Sequence, residues 1–386
     1  MDLTAAIIFW LCAAAMVHTY VTYPLSLKLF RRRYRTPPGF AADQWPTVAV
    51  LIPAYNEEAV IAEKIRNSLA LEYDAAKLEI LVGSDGSTDR TNEIAKAVQD
   101  SRVRLIELGG HSGKSGVLNQ LAKQTSADIL IFTDANVEIE ACALRLLIRH
   151  FADPTVGTAG GGKFIKIPEG AEEVKGEATY ADLVNRLKER ESEIGGMSGG
   201  LGSFMAMRRD LYEPYRPGST NDDTVPTIIA TLKGKRNVWD SSARAFEESG
   251  AGMGEEFRRR IRIGAGNFQT LFRYGRVLLP KYGIAAYTFF SHKAIRWVFP
   301  VLMILALISN YLLLDYPLYE LILASQMVFY LSAMLGGVAL ALGLRLPFIS
   351  SLFHFVALNA GLLLGLFVYL KGIRSSAWDR TERTTG

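Results

Sequence analysis

The chain has 386 residues, enough for two or three domains, and its 43 Lys+Arg against 39 Asp+Glu leave a formal net charge of only +4. That balance argues against a nucleic-acid binder working through bulk charge, which needs a basic face. Hydrophobic residues at 49% exclude a disordered chain, while 21% charged residues argue against a chain lying wholly in a bilayer.

The mixture is visible along the chain. Residues 3–27, 297–314, 321–344 and 346–370 contain no Asp, Glu, Lys or Arg, over the ~20 residues that a bilayer-crossing helix needs. The expected organisation is an N-terminal transmembrane helix (1–30), a cytoplasmic domain (31–280), an interfacial segment with a C-terminal transmembrane bundle (281–371) and a basic tail (372–386). Arg31, Arg32, Arg33 and Arg35 follow the first apolar run, and the excess of positive charge on cytoplasmic loops puts them and the domain behind them inside. Lys293 and Arg296 agree. Lys371, Arg374, Arg380 and Arg383 also prefer the inside, which conflicts with three further crossings. The number of spans is therefore left at three or four. Residues 282–297, aromatic and basic, suit an interfacial position. Cys12 and Cys142 are the two cysteines, so no disulfide framework exists and a reducing compartment is expected. The N-terminal run lacks a basic leader and reads as a retained anchor.

Within the central region, residues 47–53 are a short apolar run with the look of a buried strand, and 78–83, 103–108 and 128–133 read as further strands. Helical patterns over 57–71, 88–98 and 115–123 separate them, the second with Ser87 or Thr88 as its cap. The alternation predicts right-handed βαβ units and a mostly parallel sheet. Ligands of such sheets sit at the carboxyl ends of the strands. Asn56-Glu57, Asp85 and residues 134–136 all fall there. Beyond Pro154 the pattern is less regular. Residues 172–193, 222–232 and 254–274 read as helices and 203–208 as a strand. Glycine-rich residues 195–202 permit close backbone approach or a loop that moves.

Five motifs in order then carry a resemblance. They are Val50-Leu51-Ile52-Pro53-Ala54-Tyr55-Asn56-Glu57-Glu58, Gly83-Ser84-Asp85-Gly86-Ser87-Thr88-Asp89, Gly113-Lys114-Ser115-Gly116-Val117-Leu118-Asn119, Phe132-Thr133-Asp134-Ala135-Asn136 and Asn221-Asp222-Asp223. Over about residues 48–276 the chain resembles glycosyltransferase family 2, the inverting enzymes with a GT-A nucleotide-sugar domain. The resemblance extends to bacterial polysaccharide synthases of the chitin, hyaluronan and poly-N-acetylglucosamine kind. It implies an α/β GT-A domain flanked by transmembrane helices, with Pro53, Tyr55, Glu57, Asp85 and Lys114 around the nucleotide. It further implies Asp134 and Asn136 as ligands of Mg2+ or Mn2+, with Asp134 also in the nucleotide-sugar site. Asp223 is then the general base with Asp222 beside it, and Arg259 and Arg262 face the diphosphate.

Elementary chemistry supports these assignments. A departing diphosphate concentrates negative charge, which a cation held by oxygen ligands offsets. Asp134 and Asn136 are two residues apart at a strand end, hence on one side. The family motif usually ends in Asp, so Asn136 offers a neutral oxygen instead. Two adjacent carboxylates repel, and the one with the raised pKa suits a base. Arginine forks suit pyrophosphate. Processive members carry Gln-x-x-Arg-Trp where this chain has Arg259-Arg260-Ile261-Arg262-Ile263, so an aromatic platform for an acceptor sugar is missing. Each assignment has a plainer competitor. Asp85, Glu57, Asp222 and Asp223 could cap helices, the last pair ahead of Pro226. Asp134 could be a turn residue, Lys114 a surface lysine, and the arginines a basic helix on anionic lipid. Gln326, His354 and Asn359 in the apolar runs could make helix–helix hydrogen bonds or line a path for a lipid or glycan.

The expected protein is a membrane-embedded inverting glycosyltransferase of the bacterial inner membrane. It would move a hexose or N-acetylhexosamine from a nucleotide sugar, UDP-linked, to a glycan or lipid acceptor in cell-surface polysaccharide synthesis. The alternatives are a single transfer onto a polyprenyl phosphate or other lipid, and a non-catalytic nucleotide-sugar sensor or scaffold. No nucleic-acid partner is expected, and export partners are left open.

Overall fold

The computed structural model describes residues 2–110, 112–166, 174–200, 203–248, 253–344 and 346–372. It divides into two compact units. One is built on residues 27–251 and 273–289, the other on 1–26, 252–272 and 290–373.

The first unit is organised by an eight-stranded sheet. Its strands are β1 (Val48–Ala54), β2 (Leu78–Asp85), β3 (Val103–Leu108), β4 (Ile129–Thr133), β5 (Glu138–Ile139), β6 (Val156–Lys166), β7 (Phe204–Arg208) and β8 (Arg236–Glu248). They lie in the order β3-β2-β1-β4-β7-β6-β8-β5. β3, β2, β1 and β4 run parallel, as do β6 and β8, while β7 and β5 are antiparallel to their neighbours. β1 is buried along its whole length. Val50 and Ile52 pack with Ile61 and Ile65 on one face, and Ala49 and Leu51 with Val117, Leu118 and Leu121 on the other. A sheet covered on both faces needs a continuous apolar run rather than an alternating one. The order 3-2-1-4 places the carboxyl ends of β1, β2 and β4 side by side.

The helical patterns emerge as Ile61–Leu69, Thr91–Lys96, Gly113–Lys123, Val174–Ile194, Thr224–Leu232 and Met253–Tyr274. The cap of Thr91–Lys96 differs from expectation. Asp89, not Ser87 or Thr88, accepts the Thr91 amide at 3.0 Å. The two longest strands, β6 and β8, are absent from the sequence reading. β6 opens Val-Gly-Thr-Ala-Gly-Gly-Gly, a composition with little strand propensity. Its glycines answer to crowding instead. A Cβ on Gly160 would meet the Trp239 ring at 2.7 Å, and one on Gly161 the Ala243 carbonyl at 2.6 Å.

A buried polar network joins the entry segment to this sheet. Tyr34 Oη lies 2.7 Å from His150 Nδ1, and His150 Nε2 lies 2.7 Å from Asp240 Oδ2. Arg149 Nη2 donates to the same oxygen at 2.8 Å. The Arg33 and Tyr34 amides donate to the Glu193 carbonyl at 2.7 and 3.0 Å. Burial pushes the Asp240 carboxyl upward, but hydrogen bonds from His150 and Ser242 and the Arg149 charge outweigh it and hold the pKa well below the usual carboxylate range. A depressed folded pKa means the unfolded chain binds the proton more readily, so this stabilisation is present above the unfolded carboxylate pKa, about 3.9, and is lost as pH falls below it. Asp240→Asn is therefore expected to lower the melting temperature at pH 7 and to show a shallower further loss between pH 5 and 3 than the wild type, read by thermal unfolding in detergent.

The second unit is helical. Leu3–Val17 packs on Ile295–Tyr311 through a cluster of Ala5, Ala6, Phe9, Cys12, Ala306, Leu313 and Tyr319. Small residues let such helices approach closely. The same device recurs where Met253–Tyr274 meets Pro347–Leu370. A Cβ on Gly264 would meet the Leu362 carbonyl at 2.9 Å, and one on Gly365 the Ala265 amide nitrogen at 2.6 Å. Four helices are long and apolar enough to cross a membrane: Leu3–Leu29, Ile284–Tyr311, Pro317–Ala341 and Phe348–Leu370. Residues 284–297 are thus part of one long helix rather than a separate element. Asn310 donates to Gln326 at 3.1 Å between helices, whereas Asn359 donates to the Phe355 carbonyl of its own helix at 2.8 Å. Of the tail's basic residues, Arg374, Arg380 and Arg383 lie outside the described residues.

Candidate active site

Three loops leave the carboxyl ends of β1, β2 and β4. Pro53 is buried within β1, where its missing N–H marks the approach to the strand end, and Tyr55 follows half-buried. Asn56 adopts φ +53°, alone among the described non-glycine residues. Asparagine tolerates this left-handed conformation because its short side chain bonds locally. Here it reaches across: Asn56 Oδ1 accepts the Thr88 amide at 2.8 Å, and the Asn56 amide donates to Ser87 Oγ at 3.1 Å. The Glu57 amide donates to Thr91 Oγ1 at 2.8 Å, and the Glu57 carbonyl receives Ile61 N at 2.9 Å, starting the helix Ile61–Leu69. The β1 and β2 loops are thereby braced together.

Asp85 ends β2 and is 1% exposed. Its two oxygens accept the amides of Ser112 and Gly113, each at 2.8 Å. It does not cap the helix that follows it in sequence. It holds the start of the helix Gly113–Lys123, where unpaired amides and the helix dipole favour a negative charge.

That anchorage fixes Lys114. Its ammonium lies 2.6 Å from Asp134 Oδ1, just beyond β4, and 2.7 Å from Asp222 Oδ2, just before the helix Thr224–Leu232. The lysine is no solvated surface residue. Burial works to lower its pKa, but the two carboxylates outweigh burial and raise it. Burial raises the Asp222 carboxyl, with repulsion from Asp134 and Asp223 adding to it, and Lys114 opposes this only in part. Asp223 stands at the cap position of the next helix yet makes no side-chain capping bond. Its Oδ1 accepts the Thr224 hydroxyl at 3.2 Å, and its carbonyl accepts the Gly200 amide at 3.0 Å. A Cβ on Gly200 would meet that carbonyl at 2.7 Å, which is the close approach expected of the glycine-rich stretch. Residues 201 and 202 of that stretch lie outside the described residues.

Two contributors have no role assigned from the sequence, although Asn119 closes one of the quoted motifs. Asn119, in the same helix as Lys114, accepts from the Tyr212 hydroxyl at 2.7 Å and the Tyr215 amide at 2.8 Å, and donates to the Tyr215 carbonyl at 2.8 Å. Ser115 donates to the Ser219 carbonyl at 2.7 Å. One helix therefore grips the loop that leads into Asp222 and Asp223. The second is Lys64, 2% exposed in the helix Ile61–Leu69. It donates to Thr133 Oγ1 at 2.8 Å and to the Val137 carbonyl at 2.7 Å, clamping both sides of residues 134–136. Its place among Ile61, Ile65 and Leu69 was the available signal, because a lysine on the apolar face of a helix is out of pattern.

Arg259 and Arg262 fall in the helical unit, on Met253–Tyr274, and both are exposed. Arg259 Nη1 lies 3.6 Å from Glu256.

As for a metal, no group of three or more His, Cys, Asp or Glu is arranged to hold one among the described residues. Asp134 supplies one charged carboxylate and exposed Asn136 one neutral amide oxygen. A hard divalent cation takes about six oxygens, so this donor set fits such an ion only as part of a shell that phosphate oxygens and water complete.

Residues 49–216 match the profile of Glycosyl transferase family 2. The chain carries a family 2 glycosyltransferase domain. It is 25% identical over 307 residues to poly-beta-1,6-N-acetyl-D-glucosamine synthase of Staphylococcus aureus, covering 77% of this chain and 72% of that one. It is 29% identical over 235 residues to beta-monoglucosyldiacylglycerol synthase of Synechocystis, covering 57% of this chain and about half (49%) of that enzyme. Among solved structures it is similar to the mannosyltransferase PcManGT of Pyrobaculum calidifontis, determined with GDP-Man and Mn2+. The TM-score is 0.70 at 21% identity, over 95% of this chain and 99% of that one. The sheet is thus the GT-A fold, with apolar helices at both ends of the chain.

Lys64→Met would leave the Thr133 hydroxyl and the Val137 carbonyl without their buried partner. Unmade buried hydrogen bonds cost about 1–3 kcal/mol each. The variant is expected to be about 2–4 kcal/mol less stable, measured by chemical denaturation in detergent, with Lys123→Met as an exposed control.

Proposed function

We propose that this protein is a membrane-embedded inverting glycosyltransferase that moves a hexose or N-acetylhexosamine from a UDP-sugar to a glycan or lipid acceptor. The observation that carries the reading is the Lys114 bridge, which draws Asp134 and Asp222 together beside Asp223 at the carboxyl edge of the sheet. The braced β1 and β2 loops offer Tyr55, Glu57 and the surroundings of Asp85 to the nucleotide. Lys114 and its partners face the diphosphate. Asp134 and Asn136 would hold Mg2+ or Mn2+, which when bound supplies positive charge to the leaving diphosphate. In the transfer, the acceptor oxygen attacks the anomeric carbon opposite the nucleotide, and Asp223 takes the acceptor proton. The raised carboxyl of the pair is Asp222, but it is committed to the lysine, which leaves Asp223 to receive the proton. The roles of Arg259 and Arg262 rest on the resemblance alone.

Cell-surface polysaccharide synthesis is the favoured setting, supported by the similarity to a poly-N-acetylglucosamine synthase. The absence of tryptophan after Arg262 favours a second reading, a single transfer onto a lipid. Arg31, Arg32, Arg33 and Arg35 behind the first apolar helix support a sheet unit in the cytoplasm, and a bacterial inner membrane is the proposed setting.

The full chain in nanodiscs, offered a panel of nucleotide sugars with Mg2+ or Mn2+, is expected to release nucleoside diphosphate. Asp223→Asn should lower that rate about 10²–10⁴-fold while donor binding persists. An unchanged rate in Asp223→Asn would remove the base assignment, and no release with any donor would remove the enzyme reading. Product ladders on a gel identify a polymer synthase; one added sugar identifies the lipid transferase.

A further inference from the structure

Two of the four long apolar helices contain a π-helical turn. His18–Thr22 continues Leu3–Val17, and Phe289–Ala294 leads into Ile295–Tyr311. Such turns interrupt the regular backbone ladder and concentrate at functional places. The polar side chains of these two meet each other. Thr19 Oγ1 donates to the Ser291 carbonyl at 2.6 Å, His18 Nε2 lies 2.9 Å from Ser291 Oγ, and His18 Nδ1 lies 2.8 Å from Thr22 Oγ1. Thr19, Ser291 and His292 are buried in a unit that is otherwise apolar there.

The crossing also carries positive charge that no carboxylate among the described residues pairs with. Lys293 and Arg296 are partly buried, three residues apart on one helix. Arg296 Nε donates to Thr19 Oγ1 at 3.4 Å, and its guanidinium stands 5.0 Å from the centre of the Tyr20 ring. Residues 3–27 and 284–314 contain no Asp or Glu. Among the described residues, no carboxylate lies within ion-pairing distance of either cation. Two adjacent cations in an apolar helix pair are costly unless an anion or water meets them. The donors are a guanidinium fork whose Nη groups have no partner among the described residues, and an ammonium. Tetrahedral phosphate oxygens suit that set. The neighbouring surface is greasy: Val17, Tyr20, Val21 and Phe290 are each about half exposed. An anion arriving here with acyl chains attached would cover it, and basic pockets between membrane helices hold lipid head groups in this way.

We infer that the crossing of the two π-helical turns binds the phosphate of a lipid head group through Arg296 and Lys293, with Thr19 and Tyr20 orienting the guanidinium. The inference rests on reading the helices as membrane-crossing and is independent of sugar transfer.

The test uses the full chain in mild detergent, titrated with phosphatidylglycerol, with diacylglycerol of the same tails and with inorganic phosphate, bound lipid being counted by native mass spectrometry. A saturable phosphatidylglycerol adduct is expected, absent with diacylglycerol and not displaced by equal inorganic phosphate. Arg296→Gln and Lys293→Gln should each weaken it roughly tenfold, while Lys371→Gln leaves it unchanged. Equal binding of diacylglycerol, or full retention in the double variant, overturns the site. Displacement by inorganic phosphate at equal concentration overturns the lipid assignment. The wild-type competition stands even if a variant fails to fold. Sedimentation of the expressed chain with membranes checks the span reading separately, and nucleoside diphosphate release checks the enzyme reading.

Discussion

A half-buried ammonium between two carboxylates organises the sheet unit's working edge. Without Lys114, Asp134 and Asp222 would face one another across a partly dehydrated space, and their repulsion would drive them apart or force one to take a proton. With it, β4 and the approach to the helix Thr224–Leu232 are tied at one point by contacts of 2.6 and 2.7 Å. The trio keeps one net negative charge. A ligand that brings further negative charge must therefore reorganise the pairing or arrive with positive charge of its own.

The bridge depends in turn on how its lysine is presented. Asp85 spends both oxygens on the first amides of the helix Gly113–Lys123, which fixes where the next side chain starts. Ser115 and Asn119 of the same helix grip the loop that brings Asp222 and Asp223. One short helix thus transmits the position of β2 to residues far along the chain. Lys64 does the equivalent from the opposite face of the sheet, holding the turn after β4 by its two ends. Residues that look like separate motifs in the sequence are mechanically one assembly.

Much of this was legible beforehand, for a physical reason. Strands β1, β2 and β4 are buried and mostly apolar, and the turns that follow them carry polar residues that nothing in a core would call for. The fold class and the edge where the site lies follow directly. The partners of those polar residues did not follow. Asp85 reads as a nucleotide contact or a cap of its own helix, and only the folded chain shows it serving a later one. Lys64 belongs to none of the motifs, and only its place on the apolar face of its helix hints at burial. β6 and β8 were missed because glycine, serine and arginine carry little strand signal, and their pairing is decided by tertiary crowding. Nor does composition mark a π-helical turn, since such a turn is a change in backbone register within an ordinary apolar run.

The glycines of β6 have a further consequence. Gly160, Gly161 and Gly162 leave room for Trp239, for the Ala243 carbonyl and for the backbone at Ser241, with a methyl group at each reaching 2.6–2.9 Å of a neighbour. No catalytic group stands on that strand, yet its tolerance to mutation should be among the lowest in the domain. A survey of random variants judged by activity alone would therefore score this stretch as if it belonged to the active centre, when what it protects is the closeness of two strands.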